Sequence, residues 1–148
     1  MRPPLKSRQS GATAVEFALV LLIFLTFLLA ITDFSRMLFT WNAATEATRA
    51  GARYAVVCDN TTRQAQVLTK MQAMLPQISN VSVAWDPPGC NTETCKGVTV
   101  SIVGLDYQWI SPIAGLASLA PISMPTFQTY LSREIMGTDP NDATICSS

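Results

Sequence analysis

The chain has no histidine. That removes the commonest general base and a common metal ligand in one stroke. It also has no phosphate-binding glycine loop, no nucleophile with a base at a telling spacing, no paired acids that stand out, and no C-x-x-C pair. No internal repeat or low-complexity tract interrupts its 148 residues. Between residues 12 and 50 there is neither proline nor glycine. Nothing there favours breaking a helix. From Phe17 to Thr32 there is no charge at all. Nucleic-acid binding is not expected either. Ten basic residues balance ten acidic ones, and three of the basic ones (Arg2, Lys6 and Arg8) fall within residues 1–11. The remainder carries seven basic and ten acidic residues, a net of −3, with no basic stripe.

What is present is an apolar run with one acid at its mouth. Ser10-Gly11-Ala12-Thr13-Ala14-Val15-Glu16-Phe17 leads into an uncharged stretch ending at Thr32. The sixteen residues from Phe17 to Thr32 make a helix of roughly 24 Å, short of a hydrocarbon core of about 30 Å. Counted from Ala12, the helix reaches about 31 Å. A membrane span over 12–32 therefore requires Glu16 near one boundary, where a carboxylate costs much less than at the centre. An acid in that position is a functional candidate. It is also compatible with a helix N-terminus, where the macrodipole favours negative charge.

A basic start followed by an apolar run also fits a secretory signal peptide. The cleavage region does not: Leu28-Leu29-Ala30-Ile31-Thr32-Asp33 offers no small-x-small site, and the helical pattern continues beyond it. The expectation is a retained anchor with residues 1–11 in the cytoplasm and 33–148 outside. Asp33-Phe34 and Arg36 mark the membrane exit, as a solvated junction or a recognition element.

Past Asp33, Phe34, Leu38, Trp41, Thr45, Thr48 and Ala52 recur at helical spacing, opposite Arg36, Asn42, Glu46, Arg49 and Arg53. One helix from about Gly11 to about Val57 is expected, its outer part (33–57) lying on a small domain of residues 58–148. Gly51 permits close backbone approach, and Arg49, Gly51, Arg53 and Tyr54 are read as seating that domain. Asp59 to Thr62 reads as a turn and cap. Arg63 to Leu75 reads as a second helix closed by Pro76. Its methionines suit core filling. The period then changes to two: Val81–Trp85 and Val98–Val103 read as strands of a hairpin. Residues 105–125 read as irregular, with a helical turn or two over Ile113–Leu119. Thr126–Met136 reads as a last strand with Phe127, Thr129 and Leu131 on one face. Trp41, Trp85 and Trp109 are expected in the core or at the membrane surface. The fold class is α+β: a long N-terminal transmembrane and amphipathic helix, a short second helix, and a small antiparallel sheet of about three strands.

Four cysteines follow the anchor, and an even number in an exported domain suggests disulfides. Cys90 and Cys95 flank a turn-rich Asn-Thr-Glu-Thr segment, so a local bridge is the first expectation. Cys58 would then pair with Cys146 and fasten the C-terminal tail. A zinc site is the competing reading of these thiols.

The opening helix resembles the TadE-like family of pilin-like proteins, which accompany the Flp pilin in the tight-adherence (Tad) branch of type IV pili. The matching residues are Gly11-Ala12-Thr13-Ala14-Val15-Glu16-Phe17-Ala18-Leu19-Val20, Asp33-Phe34-Ser35-Arg36, Asn42-Ala43-Ala44, and Ala47 through Ala55. Looser correspondence follows in two strands, a proline-containing connection and a last strand ending at Arg133-Glu134. The resemblance implies a leader of residues 1–11 removed between Gly11 and Ala12 by a prepilin peptidase. It implies that Glu16, with Phe17 beside it, sets register among stacked helices. It implies a pilin-like fold, location in a bacterial inner membrane with the C-terminal part in the periplasm, and association with membrane lipid, other pilin-like subunits and the Tad inner-membrane assembly platform. No cofactor and no enzymatic activity are implied. The four-cysteine arrangement is not part of the family's core pattern. A different class of function stays open on the residues alone: an exported binding module on an uncleaved anchor. An anchored enzyme would need a concave pocket with converging polar groups, which nothing in the sequence suggests.

Overall fold

The computed structural model describes residues 10–58, 64–91, 93–109, 121–133 and 146. Residues 1–9 of the expected leader (1–11), the expected cap at Asp59–Thr62, the expected turn at Ile113–Leu119 and the part of the expected last strand beyond Arg133 lie outside these. The chain divides into two compact units, one made of residues up to Arg36 with Trp109–Ala120, the other of Met37–Gln108 and Pro121–Ser148.

The first helix, α1, runs from Ser10 to Val57. It starts and ends within a residue of the expected bounds, because no helix breaker intervenes and Gly51 lies near its end. In the first unit α1 is a bare apolar rod. It holds the one segment, among the described residues, long and apolar enough to cross a membrane, and none of that apolar window is buried. Thr26 and Thr32 point their hydroxyls back to the carbonyls of Leu22 and Leu28 (2.7 and 2.9 Å). Their polar atoms are thereby satisfied within the helix, as a lipid environment requires.

The second unit is α+β. The second helix, α2 (Gln64–Met74), buries Val67 and Met71. Three antiparallel strands follow in the order β1 (Asn80–Asp86), β2 (Gly97–Val103) and β5 (Gln128–Ser132), with β2 central. The hairpin register pairs Val83 with Val100 and Trp85 with Val98. Alternation decides which side chains go inward. Val81, Val98, Val100 and Ile102 are buried, while Ser82, Ala84 and Val103 stay outside. β5 pairs Thr129 with Val100 and Leu131 with Val98. It thus places Thr129 and Leu131 half-buried and Gln128, Tyr130 and Ser132 exposed. The strand is shorter than Thr126–Met136. Phe127 is buried but precedes it, although its carbonyl accepts a hydrogen bond from Ile102 N (2.9 Å).

The stretch read as irregular contains a small second sheet. β3 (Asp106–Tyr107) pairs antiparallel with β4 (Ile122–Ser123), flanked by a bond from Met124 N to Leu105 O (2.9 Å). Two-residue strands beside Pro121 offer no alternation long enough to read from sequence. The hairpin tip is stapled by Cys90–Cys95 and organised by Asn91. Its Oδ1 accepts from the backbone of Glu93 and Thr94 and from the Thr94 hydroxyl (3.1, 2.9 and 2.7 Å). This is the side-chain-to-backbone turn that asparagine favours.

The apolar face expected on the outer part of α1 needs correction. Thr48 and Ala52 are buried, but Phe34, Leu38 and Trp41 are exposed and Thr45 is half-buried. The buried stripe instead runs through Thr40, Ala44, Ala47, Thr48, Gly51, Ala52 and Ala55. The separation between packed helices depends on the side chains at the contact, and small ones admit the closest approach. The core cluster joins these alanines to Val67, Met71, Ile78, Val98, Val100 and Ile102. The bulky aromatics stay outside that contact. The opposite face is largely as expected: Asn42, Glu46, Arg49 and Arg53 are exposed, and Arg36 is half-buried.

Gly51 is the tightest point of this docking. A Cβ there would fall 2.7 Å from Met71 Sδ and 3.2 Å from Val67 Cγ1, and Met71 is fully buried. A Gly51→Val chain must displace both side chains from a packed core. We expect a loss of about 1–3 kcal/mol of stability, read as a lowered Tm for the micelle-solubilised chain. An unchanged Tm would mean that α2 shifts freely along α1.

Candidate functional site

The candidate site is the first two turns of α1. Gly11, Ala12, Glu16 and Phe17 are all helical and all exposed. Open space surrounds Gly11. Glu16 lies four residues after Ala12, so the two share a helix face about 6 Å apart along the axis. Around Glu16 lie Thr13, Phe17, Leu19 and Val20, an apolar surround apart from one hydroxyl. Among the described residues no ion pair engages Glu16; the pair that forms on this helix is Arg49–Glu46, far along it and solvent-exposed. A carboxylate in this position is available to a cation from outside the chain.

The structure brings these four residues together because they are sequence neighbours on one helix, not because the fold assembles them. The remaining site residues are the cysteines, and they lie in the second unit. Cys58 bridges to Cys146 with Cα atoms 5.5 Å apart, and Cys90 to Cys95 with Cα atoms 5.0 Å apart. Thiols committed to disulfides cannot serve as zinc ligands, so the metal reading of these four gives way to the pairing expected first.

Of the residues read as seating the domain, Gly51 and Tyr54 do so. Tyr54 is buried, its hydroxyl reaches Gln66 Oε1 on α2 (3.3 Å), and Lys70 Nζ sits 5.6 Å from its ring centroid. Arg49 and Arg53 face solvent. Thr48 adds a direct link to the sheet through a hydroxyl–hydroxyl bond to Thr129 (2.9 Å). Trp41, half-exposed, stands edge-on to Phe127 with centroids 5.0 Å apart. Trp85 packs half-buried against the core.

Two features of α1 escape a plain reading of the sequence. Asp33, read as a solvated junction or a recognition element, is buried at 3% exposure, which removes the solvated reading for this residue, and it has polar or charged company. Phe39 is 70% exposed. The signal for Asp33 was its spacing: Asp33, Thr40 and Ala47 recur every seven residues, close to two helical turns, along the stripe that is buried.

Residues 11–53 match the family model of TadE-like protein. The opening helix is similar to that family over these residues. The matched segment starts at the Gly11 that precedes the expected cut and ends at Arg53, two residues past the Gly51 contact with α2. The match takes in the apolar span, Glu16 and most of the small-residue stripe, and the rest of the chain lies outside it. No curated protein and no solved structure matches the chain.

Proposed function

We propose that this chain is a minor pilin or pseudopilin-like component of a Tad pilus. It enters the bacterial inner membrane as a single-pass precursor with residues 1–11 in the cytoplasm and its cysteine-bearing part in the periplasm. A prepilin peptidase cuts between Gly11 and Ala12. The new α-ammonium group of one subunit then meets Glu16 of a neighbour as helices stack with an axial shift. In that apolar setting each charge offsets the isolation of the other. Losing one partner leaves the other unpaired at a cost of several kcal/mol, on the order of 3–5. The pair therefore selects register more than it adds net stability. Phe17, exposed next to it, supplies apolar contact at the same level. Acting with other pilin-like subunits and the Tad inner-membrane platform, the protein serves pilus assembly, and through it adhesion or secretion. It performs no catalysis of its own.

The observation that carries this reading is the α1 rod: an apolar surface uncovered along its whole membrane window, with an acid, in no ion pair among the described residues, four residues past Ala12 in the segment similar to the TadE-like family. Such a helix serves equally to sit in lipid and to pack among others of its kind. The N-terminal residue of the protein purified from its native membranes, read by intact mass and peptide mapping, tests the proposal. A start at Ala12 is expected. A start at Met1 would leave an uncleaved anchor and favour the exported binding module. A start beyond Thr32 would make the helix a signal peptide and end the assembly role of Glu16.

A further inference from the structure

By charge, the apolar run of α1 stops at Asp33. By exposure, it does not. Asp33 is 3% exposed and so presents almost nothing to its surroundings, whereas Phe34 (56%), Leu38 (47%), Phe39 (70%) and Trp41 (44%) are open. Arg36 is half-buried, and its Nη1 is enclosed by protein, so it too presents little charge to its surroundings. Between Asp33 and Trp41 the one exposed polar residue is Ser35; beyond them the exposed side carries Asn42, Glu46, Arg49 and Arg53.

From Phe17 to Trp41 the continuous helix rises about 36 Å. A hydrocarbon core of about 30 Å accounts for Phe17 through Arg36, and the headgroup zone on one side, about 5–7 Å deep, takes up Met37 through Trp41. Glu16 then sits at the cytoplasmic boundary, where a carboxylate is tolerated. The outer end is Phe39 and Trp41, of the aromatic class that concentrates where lipid meets water.

We infer that Leu38, Phe39 and Trp41 form an outer collar seated in the lipid headgroup interface, with Phe34 at the top of the hydrocarbon core beneath it, so that the chain leaves the membrane at Trp41–Asn42, not at Asp33. The occupant of this surface is phospholipid. Two observations select it: the exposed apolar length matches one hydrocarbon core plus one interface, and beyond Trp41 the exposed surface turns polar at Asn42 and charged from Glu46. The inference rests on α1 being a membrane anchor and is independent of leader removal and pilus assembly.

The test uses the full chain in phosphatidylcholine vesicles, with Trp41, Trp85 and Trp109 replaced by phenylalanine and one reporter introduced as Phe39→Trp. Brominated lipids quench tryptophan according to depth. Bromines placed high on the acyl chain should quench the reporter more than bromines near the chain end, and aqueous acrylamide should quench it weakly. An Ile23→Trp reporter in the same background should show the reverse depth order. If the reporter at 39 is quenched by acrylamide and by no bromolipid while that at 23 responds, the collar is in water and the exit is at Asp33. If neither reporter responds to bromolipid, the anchor itself fails, and the inference with it. If the reporter at 39 is shielded from both quenchers, protein covers the collar and the lipid assignment is wrong. A second measurement leaves every native tryptophan in place: Phe39→p-benzoylphenylalanine, irradiated in native membranes, should give a phospholipid adduct. A protein adduct without a lipid one would overturn the assignment.

Discussion

A Glu16→Ala chain is expected to reach the membrane, keep its second unit folded and stay out of the pilus. The side chain is exposed near the start of α1 and lies in the other unit from the core of Ala44, Met71, Val98 and Val100. Its removal therefore takes nothing from that packing. What it removes is the only acid between residues 1 and 32, and with it the proposed partner of a neighbour's α-ammonium. An uncompensated charge left among apolar helices costs on the order of 3–5 kcal/mol, a factor of 10² or more in any assembly equilibrium at about 1.4 kcal/mol per tenfold. Incorporation, measured as the fraction of the chain in sheared pilus material, should fall to background while membrane-fraction levels hold. Glu16→Gln separates charge from shape: the amide keeps the size and loses the charge, and should fail nearly as badly. Normal incorporation of either variant would sink the register role and leave Glu16 as an acid placed to suit the helix dipole.

The comparison of Glu16 with Asp33 shows what a sequence of this kind discloses. Both are acids near the ends of the same apolar run. The exposed place of Glu16 near the start of α1 was readable because its position relative to Gly11 and to the apolar run is a linear quantity. For Asp33 the seven-residue recurrence with Thr40 and Ala47 was present but is not an apolar stripe, so its burial shows only in what the fold lays against that face of α1. The same distinction separates the elements. α1, α2 and the β1–β2 hairpin follow from periodicities that extend over several repeats. The β3–β4 pair does not, because two residues on each side are held by a remote partner rather than by local pattern. The docking face was misplaced for a related reason: hydrophobicity pointed to Phe34, Leu38 and Trp41, whereas close packing selected alanine, threonine and glycine. Large apolar residues left outside a contact made of small ones are informative in themselves, since they mark a surface meant for another environment.

The two disulfides should differ sharply in what their removal costs, with Cys58–Cys146 the more important. They close loops of very different size, with sequence separations of 88 and 5. In the chain-entropy account a cross-link stabilises by restricting the unfolded ensemble, and the effect grows with the logarithm of the loop. That gives about 4–5 kcal/mol for the long loop and about 2 kcal/mol for the short one. The long bridge also joins the residue that follows α1 to the C-terminal segment, while the short one closes a tip already ordered by Asn91 and by the bond from Lys96 N to Asp86 O. A small domain has a total stability of roughly 5–15 kcal/mol, so the first loss is a large part of the whole. The full chain with Cys58→Ala and Cys146→Ala, unfolded by denaturant in detergent micelles, should therefore show a much lower midpoint than the chain with Cys90→Ala and Cys95→Ala. Changing the two members of a bridge together avoids a stray thiol that could form mixed disulfides. Equal losses for the two pairs would mean that the unfolded chain in micelles is already compact, with α1 held in the detergent restricting the long loop before any cross-link forms. A larger loss for the short bridge would show that the hairpin tip, not the tail, secures this domain in an oxidising compartment.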